Sequence, residues 1–191
     1  FPQILFTAWA WLILLPARDR PSLRRMLLLR WYREGGDALL PAGSVVGQAA
    51  ITRLMIRDGM PADLAAGTAT IGISLEAISQ MLFTILGLVM FLAIRGDAEV
   101  SGFLLGIAVA AGIAALLIAA QRPPALNLLR RLLQRLARRW PRLEPHWLDR
   151  FQAALLRLHA DWRALAGAVL LHTGCWMMGA IEMTLVLNLI G

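Results

Sequence analysis

The chain has 191 residues, of which 59% are hydrophobic and 16% are charged, and its mean hydropathy is +0.64. A soluble domain is nearer one half apolar and one quarter charged. A globule of this size could not bury so much apolar surface, so lipid must cover part of it. The formal net charge is +7, and all 19 basic residues are arginine. These arginines cluster between long apolar runs, as on the cytoplasmic loops of membrane proteins, so we expect no nucleic-acid partner.

The N-terminal part begins with an apolar run, residues 1–16. Fifteen helical residues rise about 22 Å, less than the roughly 30 Å hydrocarbon core, so this run is predicted to be the end of a truncated spanning helix. The chain starts inside the run without an initiator methionine, and we expect it to be a fragment of a longer protein. Residues 17–37 are polar and basic and are predicted to include a short amphipathic helix at the lipid headgroups.

Residues 37–52 are mildly apolar but too short to cross a membrane as a helix. Pro41, Gly43 and Gly47 are expected to break this segment near its start. The segment is therefore predicted to be re-entrant or broken, and to return at Arg53 to the side from which it came.

Three longer apolar segments are predicted to span the membrane. The first, residues 63–94, follows the helix-start signals of a proline and an acidic residue in the first turn. The others are residues 101–121, after a short acidic turn, and residues 164–190. The loop at 122–163 is rich in arginine and contains two amphipathic helical patterns, which we expect to lie on anionic lipid headgroups.

The distribution of arginine determines the predicted topology. The basic stretches 17–37 and 122–163 should both be cytoplasmic. Two full spans lie between them, so residues 37–52 cannot cross as well. The predicted fold class is all-α, a polytopic integral membrane helical bundle with a re-entrant segment and interfacial amphipathic helices.

Beyond the first turn of each helix, two carboxylates and one histidine fall within the predicted spans. Glu76 lies with Gln80 on the small, polar face of the 63–94 helix, and a carboxylate there is costly unless it faces a cavity or a partner. A structural carboxylate bonded to a neighbouring helix is the alternative interpretation. Glu182 is a candidate for the same reason, and His172 is either hydrogen-bonded structure or part of a site.

Polar side chains also gather at the mouth of the re-entrant segment. Arg33, Glu34 and Asp37 could form a cytoplasmic-side pocket for a phosphate or another polar headgroup, because irregular backbone at membrane depth normally lines a cavity. Ordinary ion pairs in a solvated loop are the alternative. Cys175 is the only cysteine, and no nucleotide-binding, metal-site or hydrolase motif occurs. We therefore predict no cofactor, no metal and no enzymatic activity.

Several of these features occur together in an order that is similar to a known family. They are Arg33-Glu34, Leu39-Leu40-Pro41, the glycine-containing segment 43–47, Glu76 with Gln80, and then His172, Trp176 and Glu182. The combination resembles the lysylphosphatidylglycerol synthase transmembrane (flippase-like) family, and within it the hopanoid-biosynthesis-associated membrane proteins. The resemblance covers most of the chain.

The resemblance implies translocation of a lipid, a phospholipid or a hopanoid, in a bacterial inner membrane. A non-catalytic scaffold for lipid (hopanoid) biosynthesis enzymes is the first alternative, with those enzymes as partners. An intramembrane enzyme acting on lipid precursors is the second, although no catalytic set is visible. The candidate substrate-binding residues are Arg33, Glu34, Asp37, Pro41, Gly43, Gly47, Gln48, Arg53, Glu76, Gln80, His172 and Glu182.

Overall fold

The computed structural model describes residues 2–40, 43–95, 101–122, 124–125, 127–128, 131 and 145–190. These residues contain α-helices, one short 3-10 helix at Ala17–Asp19 and no β-strand, which confirms the all-α class. The helices are α1 (Pro2–Leu14), α2 (Leu23–Leu39), α3 (Gly43–Arg57), α4 (Ala62–Arg95), α5 (Ser101–Ala120), α6 (Pro145–Ala160) and α7 (Trp162–Ile190).

Two of the helices are long and apolar enough to cross a membrane. They cover Ala62–Ile94, with a mean hydropathy of 2.2, and Trp162–Ile190, with a mean hydropathy of 1.5. Both coincide with predicted spans. The apolar helices Pro2–Leu14 and Leu104–Ala120 are shorter. Spanning by residues 1–16 and 101–121 therefore stays a prediction, as does the polytopic arrangement.

A helical hairpin of α2 and α3 occupies the region predicted to be re-entrant. It begins at Leu23 and is therefore longer than the 37–52 segment. Gly43 and Gly47 lie within α3 instead of breaking it, because they face α2 where the two backbones approach closely. A Cβ atom on Gly47 would lie 2.7 Å from the carbonyl oxygen of Arg33. Pro41 lies outside the described residues.

An ion pair and a glycine turn close the base of the hairpin. The Nε and Nη2 atoms of Arg25 donate hydrogen bonds to the Asp58 carboxylate at 2.6 and 2.9 Å. These bonds raise the pKa of Arg25 above its usual value. Gly59 then adopts a positive φ of 96°, a backbone conformation that favours glycine, and α4 begins at Ala62. The hairpin is thus tied to the start of the longest helix.

The buried core forms where α1, α4 and α7 pack around Trp11, whose exposed fraction is 0%. Helix α1 runs antiparallel to α7, since Gln3 contacts Glu182 whereas Ile13 lies beside Gly167. A Cβ atom on Gly72 would lie 3.1 Å from the Trp11 ring, so this glycine lets the indole pack directly on α4. The three helices form the frame onto which the hairpin docks.

Helix α6 is strongly amphipathic, and its apolar face is already covered by protein. Leu148, Leu155 and Leu158 are buried in the core, and Gly67 of α4 lies next to Leu158. Any contact of α6 with lipid headgroups would therefore use its other face. The other amphipathic pattern of the 122–163 loop falls largely outside the described residues, and binding of lipid by the loop stays a prediction.

Candidate functional site

Helix α2 presents four charged side chains on one face. Counted from Arg30, the other three follow after three, four and seven residues, at Arg33, Glu34 and Asp37. This spacing brings side chains together along a helix. Arg30 is 1% exposed and its guanidinium carbon lies 5.5 Å from the ring centroid of Trp11. This face of α2 points into the interior of the bundle, where charge requires partners.

Glu76 of α4 is the principal partner of the two arginines. Arg33 binds the Glu76 carboxylate bidentately, with Nη2 2.7 Å from Oε2 and Nη1 3.1 Å from Oε1. Arg30 adds a third hydrogen bond, from Nη1 to Oε1 at 3.0 Å. Charge-assisted bonds of this geometry are the strong ones in proteins. They connect the hairpin directly to the middle of α4.

Two further carboxylates complete the cluster. Glu34 Oε1 lies 3.1 Å from Arg30 Nη2 and 3.5 Å from Arg33 Nη1, and Asp37 Oδ2 lies 3.9 Å from Arg33 Nη2. Two arginines thus face three carboxylates, and the ionised cluster carries one net negative charge. Three cluster atoms, Arg30 Nε, Arg33 Nε and Asp37 Oδ1, are buried without a hydrogen-bond partner among the described residues. The cluster therefore retains unused hydrogen-bonding capacity.

The cluster forms one wall of a cavity of about 350 Å³, which we call the ionic cavity. His172 of α7 lines it and is 2% exposed, with no hydrogen-bond partner for Nε2 among the described residues. Glu182 lies near the far end of the cavity, where it accepts a 3.0 Å hydrogen bond from Gln3. The lining residues are Gln3, Thr7, Arg30, Arg33, Glu34, Asp37, Glu76, His172, Cys175, Trp176 and Gly179.

A second, larger hollow of about 670 Å³ lies between α3 and α4, and we call it the α3–α4 groove. Its polar lining includes Gln48 and Arg53, and its apolar lining includes Val45 and Ile73. Arg33 lines both hollows. The groove and the ionic cavity therefore meet at this one side chain.

The structure divides the predicted site residues among several places. Arg33, Glu34, Asp37, Glu76 and His172 come together in the ionic cavity, whereas Gln48 and Arg53 line the groove. Gly43 and Gly47 lie at the helix crossing, Glu182 is near the cavity end, and Pro41 is outside the described residues. Gln80 is exposed and lines neither hollow. Their functional roles stay predictions.

Sequence reasoning missed Arg30 and Trp11, which are central to the cavity. In the sequence, Arg30 is one of several basic residues in the stretch 17–37, which is predicted to be cytoplasmic. A helical projection of α2 gives the signal that was available, because Arg30 falls on the same face as Arg33 and Asp37. Trp11 gave no such signal, since a tryptophan in an apolar run is equally compatible with lipid contact.

The observed features define a class: an all-helical domain with two helices that could cross a membrane and an arginine–carboxylate cavity between its helices. The family described as "Lysylphosphatidylglycerol synthase TM region" matches residues 1–191, and the chain belongs to this family. This result confirms the resemblance to the family and makes the chain a membrane domain of a lipid-related family, whereas the resemblance to the hopanoid-biosynthesis-associated branch stays a prediction. The comparison with curated proteins gave no match, and neither did the comparison with solved structures.

Proposed function

We propose that this domain moves the polar head of a lipid across a bacterial inner membrane through the ionic cavity. The observation that carries the proposal is the buried contact of Arg30 and Arg33 with Glu76 beside a hollow between apolar helices. Ionised groups at membrane depth are costly, and they are retained where they line a path for polar substrates. Both a phospholipid and a hopanoid fit this proposal, because each combines a polar head with an apolar body.

The position of His172 supports a location of the cavity inside the membrane. His172 lies nine residues after Arg163, so it is about 14 Å along the axis of α7 from that charge. If Arg163 marks the headgroup level, the cavity lies near the middle of a hydrocarbon core that is roughly 30 Å thick. With the basic segments on the cytoplasmic side, as their arginine content predicts, the cavity would be reached from that side.

The hydrogen-bonding groups of the cavity give the proposed mechanism. A headgroup hydroxyl or phosphate oxygen would take over one of the Arg33 bonds to Glu76, and the freed carboxylate oxygen would accept a bond from the ligand or take up a proton. The apolar body of the lipid would stay outside, against exposed side chains such as Leu170 and Leu185. No covalent chemistry is needed, and the domain would act without a cofactor.

One observation favours a non-catalytic scaffold as the second candidate function. Both oxygens of Glu76 already accept hydrogen bonds from arginine. In a scaffold, this contact would only hold the hairpin against α4, and the outer surfaces of the domain would bind lipid-biosynthesis enzymes. The two functions predict different outcomes when the charge of Glu76 is removed but the contact between the helices is kept. A transporter should lose translocation, whereas a scaffold should be unaffected.

The full chain in proteoliposomes tests the proposal. Translocation of a fluorescent phosphatidylglycerol and of a labelled hopanoid is measured by the fraction of probe that an external reductant reaches. Glu76→Gln keeps one acceptor and the side-chain shape, and we expect it to abolish translocation of any probe that the unaltered protein moves. Asp63→Asn, a matched carboxylate-to-amide change in the first turn of α4, should translocate normally. Undiminished translocation by Glu76→Gln would reject the proposal and favour the scaffold.

Cys175 offers a second test because it is the only cysteine of this sequence and it lines the ionic cavity. We expect a small, water-soluble thiol reagent to modify it in the folded protein. The lipid probe that is translocated should slow this reaction, because its headgroup occupies the same hollow. If Cys175 reacts only after unfolding, water does not reach the cavity and the proposed path is wrong.

A further inference from the structure

The two hollows that meet at Arg33 have opposite charge. The ionic cavity holds three carboxylates against two arginines, whereas the described lining of the α3–α4 groove has no carboxylate and contains, besides Arg33 that is paired with Glu76, the additional charge of Arg53. Arg53 is exposed and makes no hydrogen bond or ion pair with the described residues. An anion is therefore attracted to the groove more strongly than to the cavity.

The buried side chain of Gln48 is a second observation, besides the positive charge, that indicates a ligand in the groove. Its side chain is 8% exposed, it lines the groove, and neither Nε2 nor Oε1 has a hydrogen-bond partner among the described residues. A buried amide without partners is unfavourable, and such groups are normally satisfied by protein, water or ligand. The Nε2 group can donate to an anionic oxygen, and the guanidinium of Arg53, five residues further along α3, lines the same groove.

Polarity changes along the groove in the way that an amphiphile requires. Arg53 lies near the base of the hairpin, and Val45 lies about 12 Å further toward its tip, with Gln48 between them. Val45 and Ile73 are apolar groove residues with exposed fractions of 70% and 38%. A ligand with a charged head and a hydrocarbon chain would match this order, with its head at Arg53 and its chain along Val45.

We propose that the α3–α4 groove is a binding site for an anionic phospholipid, separate from the ionic cavity. The lipid phosphate lies between Arg53 and the Gln48 amide, and one acyl chain covers the apolar wall formed by Val45 and Ile73. A zwitterionic phospholipid is disfavoured because its amine would approach Arg53 with no carboxylate in the described lining to receive it. Free phosphate would leave the apolar wall uncovered.

Binding is measured on the purified full chain in micelles that contain equal amounts of phosphatidylglycerol and phosphatidylcholine. Native mass spectrometry counts the lipid that each variant retains. We expect retention of phosphatidylglycerol over phosphatidylcholine, and a drop in this preference of about tenfold for Arg53→Gln and for Gln48→Leu, since each removes a hydrogen bond to a charged group. Arg57→Gln removes an arginine one turn away that does not line the groove, and should retain the lipid.

Three results would overturn the assignment. They are equal retention of the two lipids by the unaltered protein, an equal loss in Arg57→Gln and Arg53→Gln, and displacement of phosphatidylglycerol by millimolar inorganic phosphate. Gln48→Leu removes an unpartnered buried amide and should fold, which its helical content can verify. The inference does not depend on translocation, because the lipid preference is measured in micelles and its loss in Arg53→Gln is expected whether or not the protein moves lipid in proteoliposomes.

Discussion

Replacing Glu76 by alanine will lower the free energy of unfolding by about 3 to 5 kcal/mol, the usual cost of removing one partner of a buried ionic contact. The loss is large because Arg30, which is 1% exposed, and Arg33 would both remain buried without their principal acceptor. Unfolding of the protein in mild detergent by added sodium dodecyl sulfate, followed by tryptophan fluorescence, measures the change.

The pair of Arg25 and Asp58 provides the matched control for Glu76. Asp58→Ala also removes a carboxylate that is bound bidentately by arginine, but its side chain and that of Arg25 are about one third exposed. Water can solvate the arginine that is left, so the loss of stability should be much smaller than for Glu76→Ala. Equal losses for the two variants would show that burial of the Glu76 contact has no energetic importance.

A triple replacement separates lost charge pairing from lost packing. Arg30→Met, Arg33→Met and Glu76→Leu together remove the three most buried charges of the cluster and keep much of the side-chain volume, while the more exposed Glu34 and Asp37 remain. Such replacements are often neutral or stabilising, so the triple variant should recover most of the stability lost in Glu76→Ala. It should remain inactive in translocation, because the two guanidinium groups and the Glu76 carboxylate that would exchange bonds with a headgroup are gone. This combination distinguishes a functional charge cluster from a merely stabilising one.

The sequence was sufficient to predict the helical class and the importance of Glu76. The apolar runs are long, and a carboxylate inside one of them needs a partner or a cavity whatever the detailed fold is. The partners of Glu76 could not be predicted in the same way, because the sequence of this region indicates a mainly polar stretch with only a short interfacial helix. In the structure α2 continues from Leu23 to Leu39, and this length brings Arg30, Arg33 and Asp37 onto one face.

The glycines of the hairpin show why the remaining detail could not be predicted from the sequence. Gly43 and Gly47 were interpreted as helix breakers, which is their most common meaning in a single sequence. A glycine that permits two helices to pack closely cannot be distinguished from a helix-breaking glycine by its neighbours in the sequence. The separation of Gln48 and Arg53 from the ionic cavity depends on that contact, so it could not be predicted from spacing alone.

Gly47→Ala is expected to destabilise the hairpin by about 1 to 3 kcal/mol, the cost typical of forcing an added methyl group into a packed site. The new Cβ atom would lie 2.7 Å from the carbonyl oxygen of Arg33 and 2.8 Å from Oδ1 of Asp37. The carbonyl belongs to the backbone of α2 and cannot rotate away, so α3 must shift. Because Arg33 holds Glu76 from this same turn, the shift should also loosen the ionic cavity.

Gly35→Ala is the control, since it adds the same methyl group to α2 at a position with no heavy atom within 4 Å. Alanine is favoured over glycine inside a helix by about 1 kcal/mol, so this variant should be slightly more stable than the unaltered protein. The two glycine substitutions are thus expected to change the free energy of unfolding in opposite directions, although both lie in the same hairpin. Detergent unfolding measures both, and faster reaction of Cys175 with a thiol reagent in Gly47→Ala would report the loosened cavity. If Gly47→Ala is as stable as Gly35→Ala, the close contact of α2 with α3 does not exist in the protein, and the position of Arg33 between the two hollows must be abandoned with it.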